Sequence, residues 1–275
     1  MRAAAVQLNS TDDKQRNLES AERLVRAASD DGAQLIALPE KWNLLGSGEV
    51  LEAGAEPLDG PAITAAREWA GELGVHLLAG SITARLPGDD KPSNTSVLID
   101  PEGEIESTYR KIHMFDVDVG GVAYRESEHE QPGEEIVVAQ AGEVAVGMTV
   151  CYDLRFPELY RILAVRGARV LVVPSAFTLH TGKDHWEVLL RARAIENAAF
   201  VVAPNQVGEA PPHYHSYGRS MIVDPWGVAL ATAPDGEGFV AAELDFALQD
   251  RVRESLPSLA NRRPGSYRWP EEVHA

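Results

Sequence analysis

The sequence contains a single cysteine, Cys151, among its 275 residues. One thiol excludes an internal disulfide and any zinc site built from several cysteines, and a reducing cytoplasm is its simplest compartment. Long apolar runs are also missing. No stretch approaches the roughly 20 residues that cross a bilayer, and the apolar run at 3–8 is too short for a signal peptide. We therefore predict a cytoplasmic protein without membrane association.

Basic residues are scarce relative to acidic ones. Lys and Arg together number 25 against 42 Asp and Glu, which gives a formal net charge of -17. A surface of this sign repels a polyanion such as DNA, so we predict no nucleic-acid partner. No glycine-rich phosphate loop follows a predicted strand, which argues against nucleotide binding.

Metal-binding patterns are weak as well. His213 and His215 have a His-x-His spacing that suits zinc, but no carboxylate or thiol stands at a recognisable ligand interval from them. The two prolines at 211 and 212 also predict a loop there, where histidines are usually solvated. We therefore predict no metal and no cofactor.

The chain alternates between short runs rich in Val, Ile and Leu and longer segments with helical periodicity. Among others, strands are predicted at 3–8, 34–38, 75–82 and 144–150, and helices at 61–73 and 184–198. This pattern predicts an α/β fold with a large mixed sheet or two packed sheets. We expect one domain over residues 1–275, with residues 256–275 as an extended, proline-rich C-terminal arm.

Three polar side chains stand where predicted strands end. Glu40 follows the strand at 34–38, Lys111 follows a hairpin, and Cys151 follows the strand at 144–150. Taken alone, each has an ordinary interpretation: a capping carboxylate, a solvated lysine and a buried thiol that packs as a small hydrophobe. Together they can attack an acyl carbon, with a nucleophilic thiolate, a carboxylate base and an ammonium that stabilises the oxyanion.

The surroundings of Cys151 suggest an activated thiol. A helix is predicted to begin near Pro157, and the amides at its start, with nearby cationic groups, are expected to favour the thiolate form. The carboxyl end of a buried strand is also where open α/β sheets place their ligands.

Three motifs resemble, in order and spacing, the signatures of the nitrilase, or carbon–nitrogen hydrolase, superfamily. They are LPE at 38–40, YRKIH at 109–113 and CYDLRFPEL at 151–159. The resemblance extends from AVQL at 5–8 to RRP at 262–264. It implies a four-layer αββα sandwich of the nitrilase type, usually assembled as a homodimer or a higher homo-oligomer.

The resemblance also implies roles for individual residues. The family's triad falls on the base Glu40, the cation Lys111 and the nucleophile Cys151. A fourth catalytic residue, a second glutamate, falls on Glu126, although Glu128 and Glu130 are close enough to remain alternatives. The backbone N–H of Tyr152 is expected to complete the oxyanion hole with Lys111.

Segments outside the triad resemble the deaminated-glutathione amidase branch. They are PSAFT at 174–178, TG at 181–182, HWEVLLRARAIEN at 185–197 and SYG at 216–218. This implies a small-molecule substrate, a linear carboxamide of an α-keto acid, which is hydrolysed to the free acid through a thioester. The alternatives are an ω-amidase acting on α-ketoglutaramate, a hydrolase of a nitrile or an N-carbamoyl compound, and an inactive relative that serves as a binding protein.

Arg155 and Thr181 are the residues that the resemblance assigns to substrate binding. On a protein of net charge -17, an anionic substrate needs a local cation, and a guanidinium can hold a carboxylate through two hydrogen bonds. A buried salt bridge to Asp153 or Glu158 is the alternative for Arg155. KWN at 41–43 departs from the branch because it is bulkier and more basic, and we expect it beside the site.

Overall fold

The computed structural model describes residues 1–212 and 214–267. The helices are α1 Lys14–Asp30, α2 Gly48–Ala53, α3 Pro61–Leu73, α4 Pro157–Val165, α5 Leu179–Asn197 and α6 Phe246–Ser255. The strands are β1 Arg2–Leu8, β2 Leu35–Ala37, β3 His76–Leu78, β4 Ile82–Ala84, β5 Ser93–Ile99, β6 Ile105–Arg110, β7 Asp116–Val119, β8 Val122–Arg125, β9 Val138–Ala141, β10 Val144–Met148, β11 Val170–Val172, β12 Phe200–Ala203, β13 Asn205–Ala210, β14 Tyr214–Tyr217, β15 Met221–Val223, β16 Ala229–Thr232 and β17 Gly238–Glu243. Short 3-10 turns occur at Glu126–Glu128, Cys151–Arg155 and Pro264–Ser266.

The first sheet is built around the parallel strands β1, β2 and β3. Its order is β14-β13-β1-β2-β3-β5-β4, with β17 paired to β1 and β6 paired to β5. Along β1, side chains alternate between two cores, as strand geometry requires. Ala3 and Ala5 face the second sheet, whereas Ala4 and Val6 pack with the residues of α1 and α3. Burial on both faces explains why this strand is a continuous apolar run.

The second sheet has the order β16-β15-β12-β11-β10-β9, and its strands β10, β11 and β12 are parallel. Val170 and Val172 of β11 pack against the first sheet, whereas Leu171 packs with side chains of α4 and α5. Valine predominates because a β-branched side chain suits a strand that is buried on both faces.

The two sheets pack face to face, and helices cover both outer faces. α1 and α3 cover the first sheet, and α4 and α5 cover the second. The predicted four-layer αββα sandwich is therefore confirmed. The segments that follow β2 and β11 meet at one edge, where the Ala176 N–H donates to the Glu40 carboxylate. No helix in the described part of the chain is long and apolar enough to span a membrane.

Two predicted elements are wrong in their bounds, although the helix predicted at 61–73 is α3 in full. The strand predicted at 75–82 is interrupted and forms β3 and β4, because Gly80 has a φ of +41° and turns the chain close to Pro39. The helix predicted at 184–198 begins earlier, at Leu179. Thr178 caps it by accepting from the Thr181 N–H, so Thr181 lies in its first turn.

The loop predicted around His213 and His215 is shorter than expected, because Pro211 and Pro212 lie in the turn between two strands and His215 lies in the second strand. β13 and β14 form an antiparallel hairpin, and His215 lies on β14 with an exposed side chain, whereas His213 lies outside the described residues. The C-terminal arm predicted at 256–275 has one 3-10 turn and no α-helix up to Tyr267, and residues 268–275 lie outside the described part.

Replacing Gly80 by alanine is expected to destabilise the fold and to disturb the Glu40 segment. An added β-carbon would lie 1.9 Å from the Pro39 carbonyl oxygen, and the φ of +41° is a left-handed conformation. We expect Gly80→Ala to lower the free energy of unfolding by about 3 kcal/mol or more, measured by urea titration.

Gly74→Ala is the matched control for this prediction. Gly74 has a φ of +64° at the end of α3, and no described atom lies within 4 Å of an added β-carbon. The free energy of unfolding of Gly74→Ala should therefore fall by about 1 kcal/mol, because backbone strain is its only cost. Equal losses in the two variants would contradict the role given to the Pro39 contact.

Candidate active site

Glu40 lies at the carboxyl edge of the first sheet and is 4% exposed. Its Oε1 accepts hydrogen bonds from Asn94 Nδ2 at 2.8 Å and from Lys111 Nζ at 3.2 Å. Its Oε2 accepts from the Ala176 N–H at 2.8 Å. Because Asn94 belongs to the first sheet and Ala176 follows a strand of the second, the packing of the two sheets fixes the orientation of this carboxylate.

Lys111 is buried immediately after β6, and its ammonium contacts two carboxylates. Besides the contact with Glu40, Lys111 Nζ donates to Glu126 Oε1 at 2.9 Å and to Oε2 at 2.7 Å. The Phe115 N–H also donates to Glu126 Oε2 at 2.7 Å. The ammonium and the second glutamate therefore form a fixed unit beside Glu40.

The charges of this unit stabilise each other. Burial lowers the pKa of Lys111, but the carboxylates of Glu126 and Glu40 outweigh burial and raise that pKa well above its usual value. Burial raises the pKa of Glu126, but the charges of Lys111 and Lys41 outweigh it and lower that pKa to about 2. Both groups are therefore charged at neutral pH.

The two alternatives to Glu126 lie elsewhere in the same cavity. Glu130 pairs with a different cation, since its Oε2 accepts from Lys41 Nζ at 2.8 Å and its Oε1 accepts from Thr83 Oγ1 at 2.8 Å. Glu128 lines the cavity and has no ion pair with the described residues. Of the three glutamates, the structure brings Glu126 against Lys111.

Cys151 opens the 3-10 turn that follows β10, with a left-handed φ of +46°. Its N–H donates to the Pro174 carbonyl at 2.8 Å, and its thiol faces the Glu40 carboxylate and the Ala176 amide. Such a strained backbone conformation is typical of functional residues. The structure thus brings the thiol, the carboxylate and the ammonium together, as expected from the three strand ends.

The expectation of a resting thiolate is wrong. Burial raises the pKa of the Cys151 thiol well above its usual value, and the charge of Glu40 raises it further. Lys111 opposes this rise only in part, because two carboxylates already balance its charge. The thiol therefore keeps its proton at rest, next to the Glu40 carboxylate that can accept it.

Buried Asp153 holds the nucleophile turn from behind. Its Oδ2 accepts from the Tyr109 hydroxyl at 2.7 Å and from the Val150 N–H at 2.8 Å. Its Oδ1 lies 2.7 Å from His113 Nδ1, and the His113 ring stacks on Phe156 with ring centroids 3.5 Å apart. Hydrogen bonds thus join the YRKIH motif at 109–113 to the CYDLRFPEL motif at 151–159. They fix the separation between Lys111 and Cys151.

The backbone N–H of Tyr152 has no acceptor among residues 1–212 and 214–267. It stands on the same turn as the thiol, directly after Cys151. A free amide in this place, together with the Lys111 ammonium, provides the two donors that stabilise an oxyanion at an attacked carbonyl. The structure thus leaves the predicted oxyanion donor available.

One cavity of about 400 Å³ contains the triad and is lined also by Arg155 and Thr181. The Arg155 guanidinium lies over the Phe177 ring, 5.2 Å from its centroid, and contacts His185 Nδ1 at 3.2 Å. No carboxylate in the described part of the chain pairs with Arg155, so the salt bridge considered as its alternative is not observed. Within the same residues, no cluster of three His, Cys, Asp or Glu side chains suits a metal ion.

Two residues of this site were not assigned a role from the sequence. Asn94 Nδ2 bridges Glu40 Oε1 at 2.8 Å and Glu126 Oε1 at 3.1 Å, and its signal is an amide inside the fully buried strand β5. Lys41, noticed only as a departure from the branch, is buried with a φ of +53° and borders the cavity through its pair with Glu130.

Replacing Glu40 by glutamine is expected to lower the pKa of the Cys151 thiol, since a neighbouring negative charge disappears while Lys111 remains. Cys151 is the only cysteine, so the pH dependence of its alkylation rate by iodoacetamide, followed by mass spectrometry, reports on this residue alone. Turnover should fall by about 10²- to 10⁴-fold despite the more acidic thiol, because the proton acceptor is lost. Glu158→Gln, at an exposed position of α4, is the control. An unchanged or higher thiol pKa in Glu40→Gln would refute the assigned electrostatics.

Comparison with known proteins agrees with this geometry. The sequence profile of the carbon-nitrogen hydrolase family matches residues 2–254. The chain is 42% identical over 270 residues to the deaminated glutathione amidase of Synechocystis sp. strain PCC 6803, covering 94% of this chain and 97% of that protein. It is 41% identical over 275 residues to the human deaminated glutathione amidase, covering 96% and 83% of the two chains. The crystal structure of Saccharomyces cerevisiae Nit3, a member of branch 10 of the nitrilase superfamily, superposes with a TM-score of 0.87 at 31% identity and covers 97% of each chain. The protein belongs to the carbon–nitrogen hydrolase family and is an amidase of the nitrilase superfamily.

Proposed function

We propose that the protein hydrolyses a linear carboxamide of an α-keto acid, with deaminated glutathione as the first candidate. The names of the Synechocystis and human relatives, at 42% and 41% identity, support this choice. The structural observation that carries it is the Arg155 guanidinium, which borders the cavity near the nucleophile without a carboxylate partner among the described residues. Such a group fits a substrate that brings its own carboxylate.

In the proposed first half-reaction, Cys151 attacks the amide carbonyl while Glu40 takes the thiol proton. A bond forms between Sγ and the carbonyl carbon, and the oxyanion accepts hydrogen bonds from the Lys111 ammonium and the Tyr152 N–H. Collapse of this intermediate breaks the C–N bond, and the leaving nitrogen takes the proton from Glu40. A thioester and a free amine result.

In the second half-reaction, Glu40 takes a proton from a water molecule that attacks the thioester. Breakage of the C–S bond releases the keto acid, and Glu40 returns the proton to the thiolate. Glu126 keeps Lys111 in place and faces the substrate amide. The cycle needs Cys151 in its reduced form, which favours a cytoplasmic location.

Arg155 and Thr181 are proposed to hold the keto-acid end of the substrate. Both residues line the cavity, and the Thr181 hydroxyl is oriented by Thr178 Oγ1 at 2.9 Å. A planar guanidinium can donate two parallel hydrogen bonds to a carboxylate. The α-ketoglutaramate of an ω-amidase presents the same end, so it is the second candidate substrate.

The decisive experiment measures acid release from four substrates: deaminated glutathione, α-ketoglutaramate, a simple nitrile and an N-carbamoyl amino acid. We expect turnover of deaminated glutathione to yield 2-oxoglutarate and cysteinylglycine, and the kcat/KM for this substrate to be the highest of the four. Cys151→Ala should abolish turnover and leave the fold intact. A preference for the nitrile or the N-carbamoyl compound would discard the proposed substrate class, and no turnover of any of the four would favour an inactive relative that serves as a binding protein.

Arg155→Lys should raise KM for keto-acid amides much more than for neutral amides. Lysine keeps the charge but lacks the planar pair of donors, so the carboxylate loses its bidentate contact. We expect an increase of about 10-fold or more for α-ketoglutaramate. An equal increase in KM for a neutral aliphatic amide would indicate that Arg155 has a structural role instead.

A homodimer is proposed as the assembled form. Exposed apolar side chains occur on α5 and on the loop that packs beside it: Val188 is 66% exposed, Trp226 is 60% exposed and Val228 is 50% exposed. The loop contacts α5 directly, since Arg191 Nε donates to the Gly227 carbonyl at 2.8 Å. An exposed apolar patch of this kind is typical of a protein interface.

Sedimentation velocity tests this assembly. The native chain is expected to sediment as a dimer or a higher oligomer, and Val188→Glu is expected to shift it toward the monomer. A substitution on the opposite side of the sandwich, Glu19→Gln on α1, should have no effect. A monomeric native chain at micromolar concentration would contradict the proposal.

A further inference from the structure

Lys41 is a buried cation of the cavity that the proposed mechanism does not use. Its Nζ donates to Glu130 Oε2 at 2.8 Å, and its distance to Glu126 Oε1 is 3.9 Å, beyond a hydrogen bond. An ammonium has three N–H donors. Within residues 1–212 and 214–267, two of these donors have no acceptor, although the side chain is only 8% exposed.

The position of Lys41 differs from that of Arg155. Arg155 stands on the nucleophile turn, whereas the Lys41 ammonium lies beside Glu126 and Glu130. The ion pairs run from Glu40 through Lys111 and Glu126 to Lys41, and Arg155 takes no part in them. The cavity thus holds two cations, Arg155 and Lys41, that contact different residues.

We propose that Lys41 binds an anionic group on the leaving-group side of the substrate. This inference rests on the function proposed above. Deaminated glutathione carries one carboxylate on each side of its scissile amide, the keto acid on the acyl side and the glycine carboxylate on the leaving side. α-Ketoglutaramate loses ammonia and carries only the first. Lys41 therefore selects amides of acidic amines over a primary amide.

The surroundings of Lys41 are arranged for such a contact. Its ammonium is already desolvated and held in place by Glu130, so an incoming carboxylate meets a preorganised donor. Glu130 takes one of the three N–H donors of Lys41 and leaves the other two for a ligand. The backbone of Lys41 has a left-handed φ of +53°, and its N–H donates to Ser81 Oγ at 3.2 Å. Strain of this kind is retained where a side chain has a role.

The test compares deaminated glutathione with its C-terminal amide, in which the glycine carboxylate becomes a neutral carboxamide. Both substrates have the same scissile bond and the same keto-acid end. We expect the native enzyme to prefer the acid by about 10-fold or more in kcat/KM. Lys41→Met should abolish this preference by raising KM for the acid, with kcat/KM for the amide changed by no more than about 3-fold.

Three further variants distinguish the loss of the Lys41 contact from a folding defect. Lys41→Met leaves Glu130 buried without its cation, so the double variant Lys41→Met/Glu130→Gln, which removes both charges, should show the same loss of preference. Glu130→Gln alone keeps the ammonium and a carbonyl acceptor for it, and it should keep the preference. Lys183→Met, at an exposed position of α5 outside the cavity, is the matched control and should behave as the native enzyme.

The outcomes separate this inference from the proposed function. Native enzyme that hydrolyses neither substrate contradicts the function and removes the inference with it. Native enzyme that hydrolyses both substrates equally well overturns the inference alone. A loss of kcat that is equal for both substrates in a folded Lys41→Met variant also overturns it, since Lys41 then only positions Glu126.

Discussion

Three carboxylates and two ammonium groups share the buried space beside one cavity, and this concentration of charge constrains the surrounding structure. Glu40, Glu126 and Glu130 each lose their hydration, which is tolerable only because Lys111 and Lys41 lie within hydrogen-bonding distance. Along these ion pairs the two signs alternate. Lys111 lies between Glu40 and Glu126, and Lys41 lies between Glu126 and Glu130. The two sheets must therefore hold their edges in register, because a small shift would leave a buried charge without a partner.

The same arrangement gives Lys111 and Glu40 different roles beside the thiol. Lys111 is held between two carboxylates and stays charged, so it can donate to an oxyanion without losing its proton. Glu40 is the carboxylate that also faces the thiol, and it is the one placed to exchange protons. Asp153 contributes from behind, since it joins the motif of the cation to the motif of the nucleophile. Lys111 and Glu40 thus supply the charges at the site, and Asp153 positions the segments that carry the cation and the nucleophile.

Much of this site could be predicted because strand ends are visible in a sequence. The apolar runs before Glu40 and Cys151 define where β2 and β10 stop, and the face-to-face packing of the two sheets brings those ends together. Glu126 and Glu130 are hard to separate by sequence, because they are only four residues apart and the contact with Lys111 is what distinguishes them. The thiol pKa was predicted in the wrong direction, since the balance between burial, Glu40 and Lys111 depends on distances that a sequence does not contain.

The elements that the sequence did not reveal lack a strong apolar period. α2 and the hairpin of β7 and β8 are short and largely exposed, yet both contribute residues to the cavity wall. α6 packs only a narrow buried face, with Gln249 and Val252 inward. Such segments are fixed by contacts with the sandwich after it has formed, so local propensity predicts them poorly.

The protonated state of the resting thiol has a consequence for the survival of the protein. Peroxides and electrophiles react with thiolates far faster than with thiols. A sulfenic acid formed at Cys151 would find no second cysteine in the chain, so no internal disulfide would protect it from oxidation to the sulfinic acid, which is irreversible. Burial and the Glu40 charge, which raise the thiol pKa, therefore also protect a nucleophile for which the chain has no resolving cysteine.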